Sequence, residues 1–245
     1  MIEKTFCHVE GISENTEKLL WENGITSWDI FLEKHPEIKF LPKSKLDKIK
    51  TELFFSKEEL IKNNIKYFES RLPAKEHYRL AKHGKIAFVD IETTGLSRYT
   101  DIITIIGIYD GEETKIYING QNLEEGYKEL ENYDIIVTFN GKSFDLPFIE
   151  HKSKKKYNML HLDLRFMLKE FDLSGGLKKI ERDLGITRDE AIVNVDGFEA
   201  VRLWRKYKND NDIKALEKLI KYNTEDIVNL KFILNWYLKR KENKD

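Results

Sequence analysis

The stretch Ile86-Ala87-Phe88-Val89-Asp90-Ile91-Glu92-Thr93-Thr94-Gly95-Leu96 constrains the fold more than any other part of the chain. Its first half is an apolar run with the length and β-branched content of a buried central strand, and it ends in two acids, two threonines and a glycine. Successive strand side chains point to opposite faces, so Asp90 and Glu92 project from the same face at the strand's end. Two carboxylates crowded there repel each other unless a cation lies between them, and such ligands favour hard, oxygen-loving Mg²⁺ or Mn²⁺. Taken alone, an Asp-x-Glu pair is common and fits a solvated strand end as well.

The rest of the chain supplies the context. At 245 residues with 40% hydrophobic content it is long enough for one large domain with a small companion. The 42 basic and 43 acidic residues nearly cancel, so no overall field attracts a polyanion and any nucleic-acid surface must be local. The single cysteine, Cys7, excludes an internal disulfide framework and a cysteine zinc site. No basic-then-apolar leader and no apolar run of membrane-spanning length occur, so the expected setting is cytoplasmic, with no membrane partner.

Residues 1–82 read as successive amphipathic helices, with Phe54, Phe55, Leu60, Ile61, Ile65 and Phe68 at helical spacing, and form a small all-helical domain. Within it, Val9-Glu10-Gly11-Ile12-Ser13 leads into one short helix and Asn23-Gly24-Ile25-Thr26-Ser27 into a second. Ser13 is the cap of the first, and Thr26 or Ser27 the cap of the second. The pattern resembles a helix-hairpin-helix, which holds phosphates through backbone N–H groups without reading sequence. A helical pair with a packing role alone has nearly equal standing.

Residues 83–245 carry strand signals at Ile86–Ile91, Ile102–Tyr109, Thr114–Ile118 and Asp134–Phe139, with Asp110-Gly111 as a hairpin turn. The last of these returns parallel to the first through a right-handed crossover. Asn140-Gly141-Lys142-Ser143-Phe144-Asp145 follows directly, which brings Asp145 to the same sheet edge as Asp90 and Glu92. Near the end of the chain Tyr222 and Asp226 lie one turn apart on an otherwise apolar helix stripe, where an acid is costly unless paired or bound to metal. Lys152, Lys154, Lys155 and Lys156 form the densest basic run, readable as a phosphate track or as a solvated face. Asp163 fits either a supporting role behind the acids or a helix cap. Arg188 fits a phosphate contact or a structural ion pair.

Three motifs in order, Val89-Asp90-Ile91-Glu92-Thr93-Thr94-Gly95, Phe139-Asn140-Gly141-Lys142-Ser143-Phe144-Asp145-Leu146-Pro147 and Tyr222-Asn223-Thr224-Glu225-Asp226, resemble the exonuclease motifs of the DEDD superfamily. The tyrosine four before the last aspartate marks the DEDDy branch. The middle motif is similar to that of proofreading domains in B-family DNA polymerases. From Ile86 to about Leu238 the chain also resembles a bacterial and archaeal family of stand-alone ribonuclease-H-like domains. The resemblance implies an α/β fold, a ribonuclease-H-like mixed five-stranded sheet flanked by helices. It implies a 3′–5′ exonuclease acting on single-stranded DNA or RNA or on a 3′ end, with two Mg²⁺ or Mn²⁺ held by Asp90, Glu92, Asp145 and Asp226. Tyr222 would orient the attacking water, and Thr93, Gly95, Leu96, Asn140 and Phe144 would contact the terminal nucleotide. A structure-specific endonuclease and a noncatalytic nucleic-acid-binding module are the rival readings.

Overall fold

A computed structural model describes residues 1–35 and 38–242. The chain divides into two compact units, Met1–Gly84 and Lys85–Asp245.

The first unit is helical, with α1 (Glu14–Glu22), α2 (Trp28–Lys34), α3 (Lys43–Ile61) and α4 (Ile65–Glu69). Ser13 caps α1 by accepting from the Thr16 N–H, and Ser27, rather than Thr26, caps α2 by accepting from the Ile30 N–H. Gly11 and Gly24 sit at φ of +82° and +78°, where a side chain would be strained. The segment before α1 is tied down by Glu17, whose buried carboxylate accepts from the Thr5 hydroxyl at 2.7 Å and from the Phe6 N–H. Phe6, Trp28, Phe31 and Phe68 fill the core. The expected apolar face of α3 is corrected: Leu46, Ile49, Leu53 and Ser56 are buried, whereas Phe54, Phe55 and Ile61 are exposed. Leu46, Ile49 and Leu53 already make an inward stripe at helical spacing, and each residue step turns the helix about 100° away from it.

The second unit is built on five strands, β1 (Ile86–Thr93), β2 (Ile103–Tyr109), β3 (Thr114–Ile118), β4 (Ile135–Thr138) and β5 (Leu160–Asp163). Their order is β3-β2-β1-β4-β5. The first three form an antiparallel meander, while β4 is parallel to β1 and β5 to β4. Between strands lie α5 (Leu123–Glu129) and α6 (Asp145–Ser153), and after β5 come α7 (Leu164–Met167), α8 (Leu177–Asp183), α9 (Gly197–Asp210) and α10 (Ile213–Glu242). Alternation along β1 splits its side chains. Ala87, Val89 and Ile91 pack with Leu123, Tyr127, Phe148 and Ile149 from α5 and α6. Asp90 and Glu92 belong to the opposite set. Each buried isoleucine of β1 and β2 contributes roughly 1.5–3 kcal/mol by leaving water.

On that opposite face the long helix α10 crosses β1 and β2. Its buried stripe includes Leu219, Tyr222, Asp226, Leu230 and Ile233, and a 30-residue helix spans about 45 Å. The close approach depends on Gly107 in the middle of β2. A β-carbon there would lie 3.0 Å from Cγ of Asn223 and 3.2 Å from Cδ1 of Ile227, both on α10, and closer still to the Asn223 side-chain oxygen. Gly107→Ala therefore displaces the Asn223 side chain or lifts the helix, and its expected cost is about 1–3 kcal/mol, the usual range for overpacking. Denaturant titration of the two proteins measures it, and an unchanged midpoint would show that the contact adjusts without cost.

Candidate metal centre

Sheet polarity brings the acids together. Glu92 ends the regular part of β1, where the register with β2 slips between Glu92 and Thr93. Asp226 lies on α10 above the same strand. One carboxylate oxygen from each of Asp90, Glu92 and Asp226 falls within 4.8 Å of the others. Glu92 and Asp226 are buried and Asp90 half-buried. Asp145, at the first turn of α6, stands outside this tight triad. It is buried, and its Oδ1 accepts from the Ile91 N–H at 3.2 Å, which locks α6 to β1 between the two strand acids.

The four carboxyls are uncomfortable neighbours. Burial and then the charges of Asp226, Asp145 and Glu92 push Asp90 well above its ordinary range. Burial, Asp226 and Asp145 do the same to Glu92. Burial lifts Asp145 to about 7 against the opposing Ile91 N–H, and lifts Asp226 to about 6 against Arg188. Each prefers a proton or a cation to bare charge. The donor set is all carboxylate oxygen, with no histidine or cysteine in the cluster, which suits Mg²⁺ or Mn²⁺ better than zinc.

Part of the charge is already answered by protein. Arg188 is almost wholly buried and gives a two-pronged bond to Glu181, at 2.6 and 2.7 Å, while its Nη2 also reaches Asp226. Asn229 donates to the same Glu181 at 2.9 Å. Arg188 is therefore an ion-pair residue joining the segment after α8 to α10. Asn223 donates to the Asp90 carboxylate at 2.8 Å. Of the two readings the sequence left open for Arg188, the structure shows the ion pair, whereas the role of Asn223 was not read from the sequence. The strand-interior Gly107 was the available signal, since glycine there marks close approach by a side chain or backbone.

Asp163 both caps and supports. It accepts from the Arg165 N–H at the start of α7, and from the N–H groups of Asn140 and Lys142 at 2.8 and 2.9 Å. The loop after β4 is thereby fixed, with Asn140 in a left-handed conformation at φ +71°, and Phe144 and Asp145 are delivered to the site. Asn140 itself accepts from Arg165 at 2.7 Å. The loop after β1 has its own fastening: Asp101 accepts from the Ser97 N–H at 2.9 Å and from the Thr94 hydroxyl at 3.2 Å. A β-carbon on Gly95 would strike that carboxylate, so packing alone explains this glycine.

These elements enclose a cleft of about 560 Å³. Asp90, Glu92, Asp145, Asp226, Tyr222, Thr93, Gly95, Leu96, Asn140 and Phe144 all line it. So do Asp196, Gly197, Phe198 and Val201 at the start of α9, which sequence reading missed because a single aromatic after Asp-Gly carries no pattern. Leu96 and Phe198 are 88% and 85% exposed, so the cleft is walled by apolar side chains without a partner of their own among the described residues. Tyr222 serves two surroundings. Its ring packs with Leu219 and Ile105 in the core, and lies under Arg188 at 5.4 Å and Lys178 at 5.6 Å. Its hydroxyl helps Asp226 hold its charge. Burial, then Asp226, Glu92 and Asp90, raises its own ionisation, so it remains a neutral phenol.

Sheet order and acid cluster define the class: an α/β domain with a candidate divalent-cation centre at the carboxyl edge of its parallel strands. The RNase_H superfamily model matches residues 87–238, well over half of the chain, and the chain belongs to that superfamily. Among solved structures it is similar to the family B DNA polymerase from the hyperthermophilic archaeon Pyrobaculum calidifontis. That match has a TM-score of 0.50 at 15% identity, over 64% of this chain and 24% of the polymerase. This chain thus aligns with about a quarter of that protein's length. Weaker matches include Brucella melitensis NrnC bound to pGG (TM-score 0.46, 19% identity, 64% of this chain, 75% of NrnC). Another is the apo form of a nuclease (TM-score 0.45, 17% identity, 67% and 78%). No functionally curated protein matches the sequence. Among the described residues no helix is long and apolar enough to cross a membrane.

The raised carboxyls fix a pH dependence. Asp145 moves from 3.8 to about 7 on folding, so its protonated form adds stability that is full below pH 3.8 and lost as pH rises through 7. His8 and His161, held neutral by burial at about 3, act in the opposite sense over part of that window. The informative readout is therefore the difference between wild type and Asp145→Asn in EDTA. The variant should gain on wild type by at least ~1 kcal/mol between pH 4 and 8, and a difference independent of pH would refute the assignment.

Proposed function

We propose that the protein is a divalent-metal-dependent 3′–5′ exonuclease of the DEDDy kind that releases nucleoside monophosphates from single-stranded DNA or RNA. The observation that carries this reading is the convergence of Asp90, Glu92 and Asp226 on one point of an open cleft, with Asp145 beside them. In this reading Asp90, Glu92, Asp145 and Asp226 hold two Mg²⁺ or Mn²⁺. Bound there, the cations supply a water nucleophile at neutral pH and offset charge on the phosphate.

The chain's own residues do the remaining work. Tyr222 stays protonated and so acts as a hydrogen-bond partner that orients water, not as a base. Thr93, Gly95, Leu96, Asn140 and Phe144 hold the terminal nucleotide, with Leu96 and Phe144 offering apolar surface to a base. Asn223 and Arg188 keep Asp90 and Asp226 in place while the cations exchange. The polymerase similarity supports the fold alone, and the substrate assignment rests on the cleft and its acids.

Within the first unit, the turn at Gly11–Ser13 would add sequence-independent phosphate contacts through backbone N–H groups at the start of α1. A chain beginning near Ala81, once shown to be folded by circular dichroism, should then bind long strands with a shallower salt dependence. Equal salt slopes would reduce the first unit to a packing role.

A 5′-labelled single strand with Mn²⁺ tests the activity: a ladder that starts at the 3′ end supports it, a single internal cut indicates an endonuclease, and an intact strand indicates a noncatalytic protein. EDTA should abolish the ladder. Tyr222→Phe should lower kcat by ~10- to 1,000-fold, the range for a lost positioning or proton-handling group, with little change in Tm. An unchanged kcat would return Tyr222 to the core.

A further inference from the structure

Resting on the exonuclease reading, we propose that a second, basic groove beside the acidic cleft holds the phosphates and one base of the strand behind its reactive end. The groove has a volume of about 530 Å³ and is lined by Arg98, Tyr99, Pro147, Glu150, His151, Lys154, Lys155 and Lys156. Both of its walls begin in the cleft. Gly95 and Leu96 line the cleft, and Arg98 and Tyr99 follow them in the same loop. Phe144 and Asp145 line the cleft at one end of α6, and Pro147, His151 and Lys154 line the groove along and beyond it. From Asp145 to Lys154 the helix covers about 13 Å, the reach of roughly four phosphates along a stacked strand.

The structure sorts the lysine run that the sequence left undivided. Lys155 is paired with Glu131 and Lys156 with Glu150. Arg98, Lys152 and Lys154 have no carboxylate partner among the described residues. Their charges converge on His151, which is held below its ordinary range first by desolvation and then by Lys154, Lys152 and Arg98. Tyr99 is 70% exposed. It meets the His151 ring edge-on at 5.0 Å between centroids and carries the Arg98 guanidinium 5.2 Å from its own. An acidic peptide would be served by the cations alone and has no use for an exposed aromatic set among them. A nucleic-acid strand uses both, phosphates on the cations and a base on the ring. The position is also useful, because the carboxylates of the cleft repel the rest of a polyanion, and along the two walls Arg98 and Lys154 are cations without a carboxylate partner among the described residues.

The test uses the full-length double variant Arg98→Gln/Lys154→Asn. Asparagine suits position 154 because that residue is left-handed, at φ +58°. Tyr99→Ala is the companion. Binding of an oligonucleotide of about eight residues, in EDTA so that nothing is cleaved, is followed by anisotropy against salt. The double variant should bind about 10-fold more weakly at low salt, with a log–log slope shallower by about 1.4, two released counterions at about 0.7 each. Tyr99→Ala should weaken binding and leave the slope unchanged. With Mn²⁺, hydrolysis of a dinucleotide, which ends before the groove, should match wild type in both variants. Unchanged affinity and slope for the longer strand would overturn the proposal, as would an equal loss on the dinucleotide, which would signal damage to the cleft. A polyglutamate peptide bound as tightly as the strand would overturn it in favour of a protein partner. Groove-dependent binding by a wild-type protein that cleaves nothing would keep the groove and remove the exonuclease, whereas cleavage with unchanged slopes would do the reverse.

Discussion

Mutual repulsion among four carboxyls crowded together where β1 ends is the condition that the rest of the second unit must satisfy. Bare charge there is expensive, and packing cannot relieve it. What the chain provides is a set of fixed opposite dipoles and one cation: Asn223 on Asp90, the Ile91 N–H on Asp145, and Arg188 on Asp226. None of the three meets Glu92 directly, although Arg188 also lowers it electrostatically. The remaining imbalance is what gives the cluster an appetite for a divalent ion. Arg188 is shared with Glu181, whose own charge it must also answer, so its compensation of Asp226 is partial by construction.

Holding those partners in place requires α10 to lie unusually close to the sheet. Asn223 reaches Asp90 only because β2 has no side chain at Gly107, and the buried Ile227 follows it into the same gap. The glycine weakens strand propensity at a central position. Its neighbours Ile105, Ile106 and Ile108, all fully buried, restore that locally. Thus an apparent weakness in the strand is the steric condition for an amide–carboxylate bond across the two layers. The stability of α10 on the sheet and the geometry of the acids are therefore one property.

Much of this was legible in the sequence because it is periodic. Alternation in β1 placed Asp90 and Glu92 on one face, and the four-residue interval placed Tyr222 and Asp226 on one helix stripe. A hairpin turn and a crossover of sufficient length gave the meander and the return of β4 beside β1, whereas β5, only four residues long, showed no pattern of its own and the five-stranded sheet was expected from the resemblance alone. What was not legible has no period. Arg188 lies in an irregular segment, and nothing local distinguishes an arginine that bonds Glu181 and Asp226 from one on the surface. The separation of Lys154 from Lys155 and Lys156 depends on Glu131 and Glu150, which only folding brings to them. In the first unit the expected apolar positions Ile65 and Phe68 are buried, on α4, whereas Phe54, Phe55 and Ile61 mark the wrong face of α3. The face was decided by Leu46, Ile49 and Leu53, and tertiary packing outweighed the aromatic pair Phe54 and Phe55.

Asp163 shows how a residue outside the acid cluster can govern it. Its carboxylate accepts three backbone N–H groups, two from the loop after β4 and one from the start of α7. A carboxylate so satisfied is rigid, and the loop it grips carries Asn140 in a left-handed turn and then Phe144 and Asp145. Thr138 adds a second grip, accepting from the Gly141 N–H at 3.1 Å while its hydroxyl bonds the His161 ring at 2.8 Å. Neighbouring parallel strands β4 and β5 therefore fasten the same loop from two sides. Asp145 is delivered by a braced turn, whereas Asp90 and Glu92 come from a strand and Asp226 from a helix. The bonds that fix the loop before Asp145 come from β4 and β5, whereas the α10 residue Asn223 holds Asp90 and α10 itself carries Asp226. The braced turn and β1 are joined by the β1–β4 ladder, by the packing of Phe148 and Ile149 on β1, and at the acids themselves by the bond from the Ile91 N–H to Asp145.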